Sequence, residues 1–187
     1  SLEGASLTGA DLVGANLNMA YLTRANLTRT DLSKAYLVEA QLTRANLSNA
    51  KLTGVKLIRA NLREADLNEA SLRNANLNYA DLRDADLTEV ELGSANLTGT
   101  NLIRANLTGA NLTKANLTKA NLSGANLSGA NLKKIKLNGA NLSKATLNGI
   151  QIDKKAISTN KILLAKLEEE KRKKKLLAEQ AKQEEER

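Results

Sequence analysis

The stretch ANLTKANLSGANLSGAN, Ala115 to Asn131, repeats every five residues. On an α-helix a step of five advances about 140° past a full turn, so the leucines would spiral around the surface without making a buried stripe. In a flat strand the odd step sends successive leucines to opposite faces. Neither element accommodates the pattern. Within one repeat, however, Ala and Leu stand two apart, so a short extended piece points both the same way. The other residues must then turn the chain before the next pair. Short sides joined by corners make a solenoid, and a fixed repeat is its sequence signature.

The beat runs far beyond this stretch. Leu stands at every fifth position from Leu2 to Leu147, thirty times in succession, and Ile152 and Ile157 keep the spacing. Two residues before each Leu, from Ala5 to Ile150, sits Ala, except at Thr30, Val55, Val90, Thr100, Ile135 and Ile150. The residue just before Leu is most often Asn, sometimes Asp, and the two after it are mainly Thr, Ser, Arg, Lys and Gly. This A-(N/D)-L-x-x run resembles the pentapeptide-repeat family, with Leu at every centre and no Phe anywhere. The dense Leu-only form is similar to cyanobacterial members. The resemblance implies an all-β solenoid, a right-handed quadrilateral (four-sided) parallel β-helix with one pentapeptide per side and twenty residues per coil. On that coil Thr30, Val90 and Ile150 share one side and Val55 and Ile135 another, which suits a square section.

From Gln151 the composition changes, which predicts two domains, a β-helix over 1–157 and a C-terminal α-helix within 158–187. Ser158 to Lys161, "STNK", offers N-cap chemistry, and the helix is expected from about Thr159 to Gln183. Glu168, Glu169 and Glu170 each precede Arg172, Lys173 or Lys174 by four residues, the favourable orientation for pairing. Ile162, Leu163, Leu164 and Leu167 are the candidate cap over the open end of the rod, whose last coil would otherwise expose ladder groups and leucines. The apolar heptad breaks at Glu170 and Lys174, against a sustained coiled coil. Ser1 already stands in repeat register without a starting Met, which leaves room for a targeting segment or cap upstream.

Composition argues against catalysis. The chain has no His and no Cys, hence neither the commonest general base nor a thiol nucleophile. Its glycines follow the five-residue beat rather than a phosphate loop, and no cofactor or metal is indicated. Proline is absent too, as suits a ladder that needs every backbone N–H. No apolar run approaches membrane-spanning length.

Charge gives three further readings. Eight acids lie between Glu64 and Glu91, against only Arg73 and Arg83. At twenty residues per coil Glu64 stacks on Asp84, Asp66 on Asp86 and Glu69 on Glu89, which makes these six a candidate acidic patch. Clustered carboxylates can hold a divalent cation, but Arg44 and Arg104 continue the Glu64–Asp84 column, so ordinary surface pairing accounts for it better. Nucleic acid is disfavoured despite a net charge of +8: the cations beyond Glu91 fall on all four sides with no interleaved aromatic. The resemblance also raises a DNA-mimic role, since some family members inhibit DNA gyrase by imitating the duplex. That role needs an acidic rod, whereas this one carries 17 Lys+Arg against 12 Asp+Glu through Ile150.

A protein partner remains. The large apolar or aromatic residues at outward positions are Val13, Met19, Tyr21, Tyr36, Val38, Ile58, Tyr79 and Ile103. Folded at twenty per coil, Met19, Tyr36, Val38, Ile58 and Tyr79 come to one side, five of eight where an even spread over four sides would give two. Such patches mark protein contacts. The sequence thus predicts a non-catalytic interaction scaffold that offers flat β faces and a charged helix to another protein, with the gyrase-binding DNA mimic as the alternative.

Overall fold

A computed structural model of the chain describes residues 1–158 and 160–185, and the side chains of all of these except 157, 158, 162, 164, 170, 171, 174 and 181–185. Parallel bridges join residues twenty apart without a break, from Ser6↔Asn26 through Asn126↔Thr146. One coil is therefore twenty residues, or four pentapeptides. Only one residue of each pentapeptide bridges, because the rest is spent turning. Among the described residues a continuous strand pair appears only near the C-terminal end, where β1 (Asn131–Leu132) runs parallel to β2 (Gln151–Ile152).

The residues of one pentapeptide, Leu107 to Asn111, show why the chain holds this path. The Leu107 amide donates to Asn126 O at 2.7 Å and the Gly109 amide to Ser128 O at 2.9 Å, both one coil on. The Asn111 amide donates back to Val90 O at 2.9 Å, and Ala110 closes a turn onto Leu107 O at 3.1 Å. The amide of Thr108 finds no backbone acceptor and donates to Asn106 Oδ1 at 3.2 Å. All five N–H groups are thus satisfied, four by backbone and one by the side chain preceding Leu, as a buried ladder requires. This Asx turn is the physical reason for Asn or Asp at that position.

The turn itself has a third residue in the left-handed region. From Gly4 to Gly149 its φ lies between 54° and 72° in every pentapeptide, and only ten of these thirty residues are glycine. With an i→i+3 bond and positive φ at the third residue alone, the turn is of type II character. At Arg, Lys and Glu this conformation costs roughly 1–2 kcal/mol each, a strain the surrounding ladder sustains.

Inside the coils, leucines and alanines from Leu22 to Leu147 form one continuous core. Thr30 and Thr100 stand in it at Ala positions, and their hydroxyls donate to Leu7 O at 2.7 Å and Leu77 O at 2.8 Å. The fold departs from the sequence expectation at the C-terminal end. There α1 (Lys154–Ser158) takes Ile157 off the five-residue beat and into a helix, and α2 runs Lys161–Glu185. Asp153 marks the departure: its Oδ2 receives the Lys134 amide at 2.6 Å, in place of the carbonyl that a further coil would supply.

Candidate functional site

The five residues of the apolar group occupy three positions in the repeat. Tyr36 is a bridging residue, Val38 and Ile58 are second turn residues twenty apart, and Met19 and Tyr79 are left-handed turn residues with φ of 56° and 58°. Met19, Tyr36 and Tyr79 are exposed, at 65, 49 and 61 %, while Val38 and Ile58 are half-buried between neighbouring coils. Because Tyr36 cannot cap the turn after it, the Val38 amide turns to Asn18 Oδ1 of the preceding coil at 2.9 Å. The ring of Tyr79 lies over Gly99, where an added Cβ would meet Cε1 at 2.5 Å. It therefore leans toward the C-terminal end, away from Ile58, and the group is looser at that edge. Val13 and Tyr21 are also exposed, in other columns.

The six acids fall into three pairs, each at its own position in the coil. Glu64 pairs with Arg44 at 2.7 Å, and Asp84 takes both Nε and Nη2 of Arg104, at 2.6 and 2.7 Å. Hydrogen bonding from Arg104 holds the Asp84 carboxyl below its usual range. Next to this column Asp81 is paired with Arg83. Burial works to raise the Asp81 pKa, but hydrogen bonds from the Arg83 side chain and amide outweigh it and keep the carboxyl low. The second pair has turn-capping work: Asp66 receives the Asn68 amide at 2.9 Å, and Asp86 the Thr88 amide at 3.0 Å and its hydroxyl at 2.6 Å. Glu69 and Glu89 are left-handed turn residues, and the Glu89 carboxylate lies over Gly109. Among the described residues no group of three or more acids is arranged to hold a metal ion.

At the C-terminal end Leu163 is fully buried against the core and Leu167 partly so, whereas the side chains of Ile162 and Leu164 lie outside those described. Two polar residues complete this contact: Asn160, within the stretch expected to cap the helix, and Lys166, which the sequence did not mark. Asn160 caps α2 by accepting the Leu163 amide at 3.1 Å, and its buried Nδ2 donates to Leu137 O at 3.1 Å and Ala140 O at 3.0 Å. It stands 23 residues after Leu137, the same interval as Thr30 to Leu7, and so fills the slot the next repeat would fill. Lys166 Nζ donates to Ala145 O at 2.6 Å, the carbonyl a further coil would have used. Beyond Leu167 the helix leaves the core, with Leu176 and Leu177 exposed, and among the described residues no helix is long and apolar enough to cross a membrane.

The sequence matches a known repeat family. A model of pentapeptide repeats matches the chain over residues 1–29, 20–57, 56–93, 91–129 and 120–153. Among solved structures, HetL, a pentapeptide-repeat protein involved in heterocyst differentiation regulation from Nostoc sp. strain PCC 7120, is 36% identical. That match covers 78% of this chain and 82% of HetL, with a TM-score of 0.40. Rfr23 from the cyanobacterium Cyanothece 51142 is 35% identical over 80% of this chain and 88% of its own, with a TM-score of 0.24. A trypsin-treated form of QnrB1, a plasmid-mediated fluoroquinolone resistance protein, is 21% identical over 86% and 89%, with a TM-score of 0.34. No protein with a curated description matches the chain.

Proposed function

We propose that this chain, which belongs to the pentapeptide-repeat family, is a non-catalytic scaffold: a right-handed, four-sided rod, closed by residues 158–187, that presents flat faces and a charged helix to a partner protein. The observation that carries this reading is the division of labour within the repeat. Ala and Leu are spent on the core, the residue before Leu on its turn, and the outward positions are left to vary. On one side those positions hold Met19, Tyr36, Val38, Ile58 and Tyr79, which form the partner surface. A surface on so regular a ladder is preorganised and loses little entropy on binding.

The alternative, a DNA mimic that binds gyrase, depends on unneutralised acid. Pairing of Glu64 with Arg44 and of Asp84 with Arg104 leaves Asp66, Glu69, Asp86 and Glu89 to carry it, which favours the scaffold. Affinity capture with the intact rod and with a Val38→Asp/Ile58→Asp variant tests the reading, with retained proteins identified by mass spectrometry. The scaffold reading expects a partner lost only in the variant; equal retention by both removes the apolar side from consideration. A gyrase supercoiling assay separates the two readings, since only the mimic inhibits.

A further inference from the structure

Between Leu92 and Ile152 the chain has no acid and seven Lys or Arg. The fold gathers part of this charge at one place. Lys134 and Lys136 stand on either side of Ile135, and α1 folds Lys155 back to the same spot. Together with Asn138 they rim a cleft of about 450 Å³, a size that suits a small molecule. Lys114 stands twenty residues before Lys134, at the same position of the preceding coil.

The floor of the cleft is apolar. Ile135 stands where most repeats have Ala, and it and Ala156 are almost fully buried there. Among the described residues the cleft's one carboxylate, Asp153, receives the Lys134 amide at 2.6 Å, where Lys114 in the coil below donates to the Lys133 carbonyl. Asp153 keeps its negative charge in this contact, but it is one acid against the three lysines of the rim, so the lining is net positive. Clefts lined by one sign of charge raise the local concentration of the opposite ion, and compact ammonium groups suit phosphate as point charges.

We infer that this cleft binds a small phosphate-bearing anion, its charge among Lys134, Lys136 and Lys155 and its apolar body against Ile135 and Ala156. The site is separate from the partner surface proposed above, and its test is independent of that surface. Full-length protein is titrated at low salt with inorganic phosphate and with butyl phosphate, and amide shifts of Lys134, Lys136 and Asn138 are followed by NMR. Butyl phosphate binds the more tightly of the two. A Lys134→Glu/Lys136→Glu variant weakens binding by about tenfold or more. A Lys119→Glu/Lys144→Glu variant, equal in net charge but outside the cleft, changes it by less than about threefold. Vesicles containing phosphatidic acid form the second arm. Binding to the soluble probes assigns a free phosphate ester, and binding to vesicles alone assigns a lipid headgroup. No binding in either arm, or equal weakening by the two variants, overturns the site.

Discussion

The carboxamide oxygen of Asn116 receives both the amide of Thr118, at 3.1 Å, and the Thr118 hydroxyl, at 2.6 Å. The amide is the one N–H in its pentapeptide that no carbonyl accepts, so Asn116 supports the turn much as an N-cap supports a helix. Its Nδ2 also reaches Thr98 Oγ1 of the preceding coil at 3.1 Å, which ties neighbouring coils through side chains.

Replacement of Asn116 by Ala leaves the Thr118 amide without an acceptor and should cost about 1–2 kcal/mol. Asn116→Asp keeps the acceptor and loses only the bond to Thr98, and should cost less than half as much. Urea denaturation of the two variants checks this; equal costs would place the contribution in the inter-coil bond instead.

The left-handed turn residues give a prediction of opposite sign. Lys114 and Lys119 have φ of 62° and 60°, a region that penalises a Cβ. Lys119→Gly should stabilise the protein by up to about 1 kcal/mol, the relieved strain being partly offset by unfolded-state entropy. Gly124→Val, at φ +69°, should destabilise it by a similar amount. A shift of both variants in the same direction would contradict the turn geometry.

Acid should weaken the rod. Asp84, Asp81 and Asp31 all have folded pKa values held below the usual carboxylate range: Asp84 by Arg104, Asp81 by Arg83 against the effect of burial, and Asp31 by hydrogen bonds from Ser33. Since the folded value lies below the unfolded one, the stabilisation is complete above about pH 4, the unfolded pKa of Asp, and is lost as pH falls through the folded value. Melting temperature against pH should therefore drop below about pH 4, less steeply in Asp84→Asn. An unchanged slope in that variant would show the Arg104 pair to be energetically silent, as exposed pairs often are.

The cap depends on both ends of one side chain. Asn160→Ala removes the donor to Leu137 O and Ala140 O and should cost about 1–3 kcal/mol, with faster hydrogen exchange in the last coil. Asp normally replaces Asn well at an N-cap. Here Asn160→Asp would set a buried carboxylate against two carbonyls, so it should be as damaging as Ala or worse. A benign Asp variant would mean that the helix cap, not the carbonyl contact, is what matters.

The core was open to sequence reading because Ala and Leu face inward at every repeat, so the period of five states where the side chains go. The twenty-residue coil left only a faint mark, in the few oversized residues such as Thr30, Val90 and Ile150. Turn handedness was hidden, since Arg24 or Glu89 does not announce a positive φ. The Asn role had a readable signal in N-x-(S/T), the spacing of an Asx turn, visible at Asn106–Thr108 and Asn116–Thr118. By contrast the bonds of Asn160 to Leu137 and Ala140, the role of Lys166 and the fold-back of Lys155 arise from how α1 and α2 meet the last coil, and tertiary contacts of that kind leave no periodicity.

The partner surface is tested most directly by cross-linking from the positions themselves. A photo-reactive residue is placed at Ile58 in one sample and at Thr108, on a polar stretch of the rod, in another, and both are illuminated in the source cells. The scaffold account predicts a discrete cross-linked protein from Ile58 and none from Thr108. The same products from both positions, or none from Ile58, would contradict it.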